Sequence, residues 1–221
     1  MTIVFTTIFG GSDSLKPAPA GADHCVCFVD RVADHLGSTG WDLVHYPLPT
    51  GADPRRTAWN LRCVPHRLFA KYDRVVWIDA SFSLTDLPRA LRDAGDAPIA
   101  ALRHHERDSP YWEAKRLVKI GQSRKEDIEP QIAAYQAADF PGLHLSISCL
   151  IVRDRSKAVG RFNDTWRDQI ATFPGDNTQV SIDYSAWVNG LEIAPLQGTR
   201  HVNPYAVHDT ADHEQRRRPY L

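Results

Sequence analysis

The chain has 221 residues, of which 43% are hydrophobic and 10% aromatic, enough to bury the core of one large domain or two small ones. One domain is the better expectation, and the composition excludes a disordered protein. Its 26 basic and 27 acidic side chains leave a formal net charge of −1, which excludes a general attraction to nucleic acid or membranes.

The cysteines and the ends of the chain indicate a cytoplasmic protein. Its four cysteines are Cys25, Cys27, Cys63 and Cys149. They lack the Cys-x-x-Cys spacing of a metal site, and we expect reduced, buried thiols. No apolar stretch approaches the roughly 20 residues of a membrane span, and no signal peptide precedes the first strand-like run. We expect an irregular tail over about 209–221, with the basic run Arg216–Arg218 solvated.

In chain order, the first half alternates strands with helices. Strands are predicted at Ile3–Phe9, Cys25–Val29, Leu43-Val44, Val75–Ile78 and Ile99–Leu102. Asp53-Pro54 predicts a helix start, because a capping oxygen precedes a proline at the first helical position. This helix should end before Pro65, and Ser109-Pro110 should begin another helix.

The second half continues the alternation. Ser123 and Glu126 have the spacing of a capping box, which predicts a helix start there. Further helices are predicted at Ile128–Tyr135, Val159–Ile170 and Val180–Val188, and strands at Leu143–Val152 and Leu191–Leu196. Alternating strands and helices predict a single α/β domain over 1–221, with a mostly parallel central sheet flanked by helices.

Two aspartates follow buried strands. Asp79 comes directly after the apolar run Val75–Ile78, and Asp30 follows the second strand. In a parallel sheet both carboxylates would lie at the edge where ligands bind, although Asp79 could instead cap the turn that follows it. Arg55, Arg56 and Arg62 precede the Asp79 strand and could reach the same edge, where guanidinium groups suit phosphate; an exposed helix face is the alternative. Carboxylates and arginines together favour a nucleoside diphosphate ligand, with Mn²⁺ or Mg²⁺ as the metal.

An ordered series of segments resembles a glycosyltransferase-like family of the GT-A type, whose members include plant mucilage- and pectin-related proteins and bacterial proteins. The matching segments are Arg55-Arg56, Arg62, Pro65-His66, Tyr72-Asp73, Trp77–Ser81, His105–Ala114, Gly142-Leu143, Val152-Arg153, Trp166, Gln179, Ser181, Asn203–Tyr205 and His208. They cover most of the chain. The resemblance implies a single GT-A-like, Rossmann-like domain that transfers a sugar from a nucleoside diphosphate sugar to a hydroxyl acceptor, such as a glycan.

The resemblance also implies roles for individual residues. Those expected at the donor are Asp30, Arg55, Arg56, Arg62, Asp79 and Ser81. Those expected in catalysis are Arg107, Asp108 and Glu113, with Asp108 or Glu113 as the base if the reaction inverts. Those expected at the acceptor are His105, Gln179 and Asp183, and the expected metal ligands are Asp79 and His208.

Two departures from the family pattern keep other functions open. Ser81 stands where the second aspartate of an Asp-x-Asp motif is common, and Thr178 stands where the family tends to have an aspartate. These changes leave open a nucleotide- or glycan-binding module without catalysis. A nucleotidyltransferase is a second alternative, and the charge balance gives a nucleic-acid acceptor no special support.

Overall fold

The computed structural model describes residues 1–35, 37 and 40–209. The predicted basic run Arg216–Arg218 and all but the first residue of the predicted tail lie outside these residues. No helix among those described is long and apolar enough to cross a membrane.

Within the described residues, seven strands form one sheet in the order β3-β2-β1-β4-β7-β6-β8. They are β1 (Thr2–Ile8), β2 (His24–Val29), β3 (Asp42–His45), β4 (Arg74–Ile78), β6 (Ile99–Arg103), β7 (Ser146–Asp154) and β8 (Ala194–Leu196). A separate antiparallel pair joins β5 (Phe82–Leu84) to β9 (Ala206–His208). The predicted fold class, α/β with a mostly parallel central sheet flanked by helices, is confirmed.

The strand directions decide which residues meet at each edge. β1 is parallel to β2 and β4, and β2 is parallel to β3, whereas β7 runs antiparallel to both β4 and β6. The carboxyl ends of β1, β2, β4 and β6 therefore lie at one edge of the sheet, where β7 begins. We call this the site edge.

Helices cover both faces of the sheet. They are α1 (Pro54–Cys63), α2 (Pro65–Leu68), α3 (Leu87–Ala94), α4 (Pro110–Lys119), α5 (Lys125–Ala137), α6 (Lys157–Thr172) and α7 (Gln179–Val188), with a short 3₁₀ turn at Val32–His35. Alternate residues of β4 point to opposite faces. Trp77 packs in a core with side chains of α1, α6 and α7, whereas Val76 and Ile78 pack in a second core with side chains of α3.

Most predicted boundaries agree with the structure to within a few residues. Asp53 caps α1, since its Oδ1 accepts hydrogen bonds from the backbone N–H groups of Arg55 (2.8 Å) and Arg56 (3.4 Å). The capping box at Ser123 is wrong. The hydroxyl of Ser123 donates instead to the carbonyl of Gly175, and α5 has no side-chain cap. The sequence pattern also missed α3, β5 and β9, because each is short or begins with mixed polar and apolar residues.

Candidate functional site

Asp79 lies at the centre of the site edge, where β4 ends. Its backbone N–H donates to the carbonyl of Cys149 on β7 (2.8 Å). Its carboxylate Oδ1 accepts a hydrogen bond from Trp77 Nε1 (2.8 Å) and pairs with Arg62 Nη2 (3.0 Å). These two contacts hold the carboxylate in place. The side chain is 28% exposed, so a ligand can still reach it.

Arg62, on α1, is the buried partner of Asp79. Its Nη1 donates to the hydroxyl of Ser148 (2.6 Å) and lies 3.3 Å from the hydroxyl of Thr178. Its guanidinium carbon lies 4.7 Å from the ring centre of Trp77. Burial excludes water from the Arg62 guanidinium, so Ser148, Thr178 and Trp77 supply its remaining contacts and fix its orientation. The predicted approach of Arg62 to the site edge is therefore what the structure has.

Thr178 connects this ion pair to the start of α7. It has a φ of 77°, in the left-handed region that a β-branched residue rarely adopts. Its backbone N–H donates to Asp176 Oδ1 (2.6 Å), and its carbonyl accepts from Trp166 Nε1 (3.1 Å). These contacts stabilise the strained backbone, and strain of this kind often accompanies functional sites.

The segment that ends in β9 covers the turn after Asp79. His208 is paired with Phe82 in the two-stranded sheet, and their rings stack with centres 4.4 Å apart. Arg200 Nη2 lies 3.4 Å from His208 Nε2, and the Arg200 guanidinium carbon lies 5.8 Å from the Phe82 ring centre. Among the described residues, no carboxylate forms an ion pair with Arg200, so its charge is not neutralised within them.

A row of imidazole rings links the loop after β6 to this segment. His104 and His105 stack at 5.1 Å between ring centres, His105 meets His201 at 5.6 Å, and His201 lies 6.3 Å from His208. The predicted acceptor residue His105 therefore contacts His201, the residue directly after Arg200. The row gives this side of the site edge a polar surface.

The three predicted catalytic residues have different surroundings. Arg107 Nε pairs with Glu113 Oε2 at 2.5 Å, and Asn177 Nδ2 donates to Glu113 Oε1 (3.2 Å). Glu113 is buried at the start of α4, so its carboxylate is engaged internally. Asp108 is exposed, and its carboxylate has no hydrogen bond or ion pair within the described residues. Asp108 is therefore the freer of the two proposed bases.

The predicted donor residues of the first half divide into two groups. Asp30 lies at the site edge, where its Oδ2 accepts a hydrogen bond from the N–H of Gly10 (3.0 Å). Arg55 is exposed near the start of α1. Arg56 is directed toward the end of α6 and donates to the carbonyls of Ile170 and Pro174. Arg56 thus fastens two helices together in this structure.

The remaining predicted residues are placed as follows. Ser81 is buried in the turn after Asp79, and Gln179 is half-buried at the start of α7. Asp183 is buried and accepts hydrogen bonds from both the N–H and the hydroxyl of Ser146, each at 2.7 Å, with Arg103 at 3.3 Å. Burial raises the pKa of Asp183. Its carboxylate has internal partners, and its acceptor role stays a prediction.

A divalent metal fits these residues poorly. Mg²⁺ and Mn²⁺ prefer carboxylate and water oxygens in regular arrangements. One oxygen of Asp79 is occupied by Arg62 and Trp77, and a guanidinium lies beside His208 Nε2. Residues 1–35, 37 and 40–209 contain no group of three or more His, Cys, Asp or Glu side chains able to hold a metal. The Mn²⁺ or Mg²⁺ requirement stays a prediction.

No protein-family model and no curated protein sequence matches this chain. Solved structures do match, and one is described as "WbbM bifunctional glycosytransferase apo structure", with 13% sequence identity and a TM-score of 0.45. The match covers 81% of this chain and 36% of that one, so this chain spans about a third of that protein's length. A likeness this distant says nothing about substrate or activity.

Arg200 is the residue of the site edge that the sequence pattern missed. It sits in a turn in which the Thr199 N–H donates to the carbonyl of Val202 (2.8 Å). Gly198, with a φ of 91°, permits this turn, since an added Cβ would lie 2.4 Å from the same carbonyl. The only signal in the sequence was the closeness of Arg200 to Asn203-Pro204-Tyr205, which belongs to the family resemblance.

His104 predicts a pH dependence of stability. Burial, followed by the charge of Arg107, lowers its pKa to about 4. Its Nδ1 accepts hydrogen bonds from the backbone N–H groups of Glu106 and Arg107, both at 3.1 Å, and protonation would abolish them. Since the unfolded chain binds the proton more readily, this contribution to stability is complete above about pH 6.5 and is lost as the pH falls toward 4.

The measurement is the melting temperature between pH 7 and pH 4.5. We expect the melting temperature of His104→Gln to fall less over this range than that of the unmodified protein. His45→Gln, on the exposed part of β3, is the matched control and should follow the unmodified protein. Equal falls for all three proteins would contradict this assignment.

Proposed function

We propose that this protein transfers a sugar from a nucleoside diphosphate sugar to a hydroxyl acceptor. One observation supports the proposal: the fixed Arg62–Asp79 pair lies at the end of β4, and Arg200, a cation with no carboxylate partner among the described residues, lies over Phe82, three residues after Asp79. Ligands of open α/β sheets bind at this edge. An unneutralised guanidinium there suits the diphosphate of such a donor.

The proposed chemistry requires positive charge where the leaving group forms. As the bond between sugar and diphosphate breaks, the sugar gains oxocarbenium character and negative charge grows on the diphosphate. Arg200 would stabilise that charge, because a cation already in place costs no reorganisation during the reaction. Asp79, held by Arg62, would contact the sugar or ribose hydroxyls, and Asp30 would bind the nucleoside.

The acceptor side of the mechanism is assigned to the loop after β6. Asp108 would take the proton from the acceptor hydroxyl if the reaction inverts, because its carboxylate is exposed and is not engaged by other described residues. The buried Glu113 would instead hold Arg107 in place. His105 and Gln179 would contact the acceptor, for which a glycan is the proposed class.

A panel of nucleotides and nucleotide sugars tests the proposal. A ligand that binds the folded protein raises its melting temperature by mass action, so a donor class can be found without the acceptor. Each compound is measured with Mn²⁺ and with a chelator, followed by assay of free nucleotide release. Failure of every nucleotide and nucleotide sugar to raise the melting temperature would refute the donor site.

Arg200→Met should weaken nucleoside diphosphate binding by about 10- to 100-fold, since a charge-assisted hydrogen bond contributes roughly 1.5–3 kcal/mol. Titration calorimetry with the diphosphate found in the panel measures this change. Arg92→Met, which removes an exposed cation on α3, should leave the affinity unchanged. Equal affinities of Arg200→Met and the unmodified protein would remove Arg200 from the site while leaving the transferase proposal standing.

One observation favours a binding module without catalysis as the second candidate. The Asp79 carboxylate already has two internal partners, and Ser81 supplies no second carboxylate. A module of this kind would bind nucleotide without releasing it from a nucleotide sugar. The same assay recognises a nucleotidyltransferase, which would release pyrophosphate from a nucleoside triphosphate.

A further inference from the structure

Arg153, near the end of β7, has a buried guanidinium that forms no ion pair within residues 1–35, 37 and 40–209. The residue is 0% exposed. Its Nη1 donates to the backbone carbonyl of Arg62 and to Asn163 Oδ1, both at 2.9 Å. Nε and Nη2 have no hydrogen-bond partner, and no carboxylate pairs with the side chain, in the part of the chain that the structure describes.

Burying the Arg153 guanidinium in this way lowers the stability of the fold unless a ligand neutralises it. Burial lowers the pKa of Arg153 to about 9, so the side chain is still protonated at neutral pH. A buried charge without a counter-ion is strongly destabilising, and so are unsatisfied N–H groups. Nε and Nη2 lie on the same edge of the guanidinium plane, and this edge forms the two parallel hydrogen bonds of a bidentate oxyanion contact.

A cavity of about 80 Å³ is lined in part by Arg153, at the end of the sheet opposite the site edge. Arg153, Asn163 and His66 line it, together with Asp154 and Arg155. Asn163 Nδ2 and His66 Nδ1 are also buried without a partner among the described residues. With about 30 Å³ for each water, the cavity has room for two or three waters or for one small oxyanion.

Two further charged residues that line the cavity have contacts of their own. Asp154 Oδ1 accepts a hydrogen bond from the Ser156 N–H (2.8 Å), and Arg155 pairs with Asp73 at 3.3 Å. Neither of these contacts neutralises Arg153. No carboxylate among the described residues forms an ion pair with the Arg153 guanidinium, which is fully buried at the cavity.

We propose that this cavity binds a small oxyanion, such as inorganic phosphate, through Arg153 and Asn163. The anion neutralises the guanidinium and accepts the hydrogen bonds that its free edge and Asn163 Nδ2 offer. Since Arg153 also donates to the carbonyl of Arg62, the anion supports the backbone of the residue that pairs with Asp79. This site is separate from the proposed donor site.

Asn163→Asp provides a direct test, because aspartate has nearly the same shape and keeps the oxygen that Arg153 Nη1 contacts. The new carboxylate supplies the negative charge that the anion would otherwise bring. In phosphate-free buffer we expect the variant to melt about 3 °C above the unmodified protein. As phosphate is raised at constant ionic strength, the unmodified protein gains stability by mass action and this difference shrinks.

The difference between the two proteins is the quantity measured, since phosphate bound elsewhere affects both equally. Asn60→Asp adds the same charge on the exposed face of α1, and its difference from the unmodified protein should not change with phosphate. A gap between Asn163→Asp and the unmodified protein that is independent of phosphate would overturn the proposal. So would an Asn163→Asp protein that melts no higher than the unmodified protein without phosphate.

Discussion

Asp79→Asn should lower the release of nucleotide from a nucleoside diphosphate sugar roughly 100-fold, the usual effect of removing one preorganised electrostatic group. Asparagine keeps an oxygen that can accept the hydrogen bond of Trp77 Nε1. It loses the negative charge that pairs with Arg62 and that would contact the donor. The measurement is the initial rate of nucleotide release at a saturating concentration of the donor found in the panel.

The control for Asp79→Asn removes the same charge elsewhere. Asp96 is exposed in the turn after α3 and forms no hydrogen bond or ion pair within residues 1–35, 37 and 40–209. Asp96→Asn should retain the full rate. Circular dichroism checks that both variants are folded, and a folded Asp79→Asn protein with an unchanged rate would remove Asp79 from the mechanism.

Arg62→Met should reduce the free energy of unfolding by about 2–4 kcal/mol. Breaking a buried ion pair by removing one partner commonly costs about 3–5 kcal/mol, and the partial exposure of Asp79 reduces that cost. The substitution also leaves the hydroxyls of Ser148 and Thr178 without their guanidinium donor. Urea denaturation followed by tryptophan fluorescence measures the change.

An exposed ion pair of the same type is the reference for Arg62→Met. Arg67 pairs with Asp164 at 2.5 Å, but the two side chains are 53% and 40% exposed. Arg67→Met should therefore cost less than about 1 kcal/mol. If both variants lose equally little stability, then the Arg62–Asp79 pair and the contacts of Arg62 with Ser148 and Thr178 do not stabilise the fold.

Local sequence signals predicted much of the fold. The run Val75–Ile78 was identified as a strand because a central strand is apolar on both faces, and it lies between β1 and β7. Asp53-Pro54 marked the start of α1 because capping depends on neighbouring residues only. The capping box at Ser123 failed for the opposite reason, since Gly175, 52 residues away, takes its hydroxyl.

The candidate site was predicted in part. Asp79 and Asp30 were placed together at one edge, since parallel strands bring their carboxyl ends together. Arg55, Arg56 and Arg62 could not be separated by sequence, although in the structure Arg62 alone of the three contacts Asp79 among the described residues. An α-helix has 3.6 residues per turn, so the three arginines point in different directions. Which of them faces Asp79 depends on how the helix packs against the sheet.

By itself, the sequence determined the alternation of strands and helices, the buried strand that ends at Asp79, and the near-zero net charge. Each of these follows from residues adjacent in the chain. The tertiary structure alone decided that Arg62 pairs with Asp79, that the segment ending in β9 brings Arg200 and His208 over the turn after β4, and that Arg153 is buried with no carboxylate partner among the described residues. These contacts join residues 17 to 126 positions apart, and such pairings depend on strand order and helix packing, which no local pattern encodes.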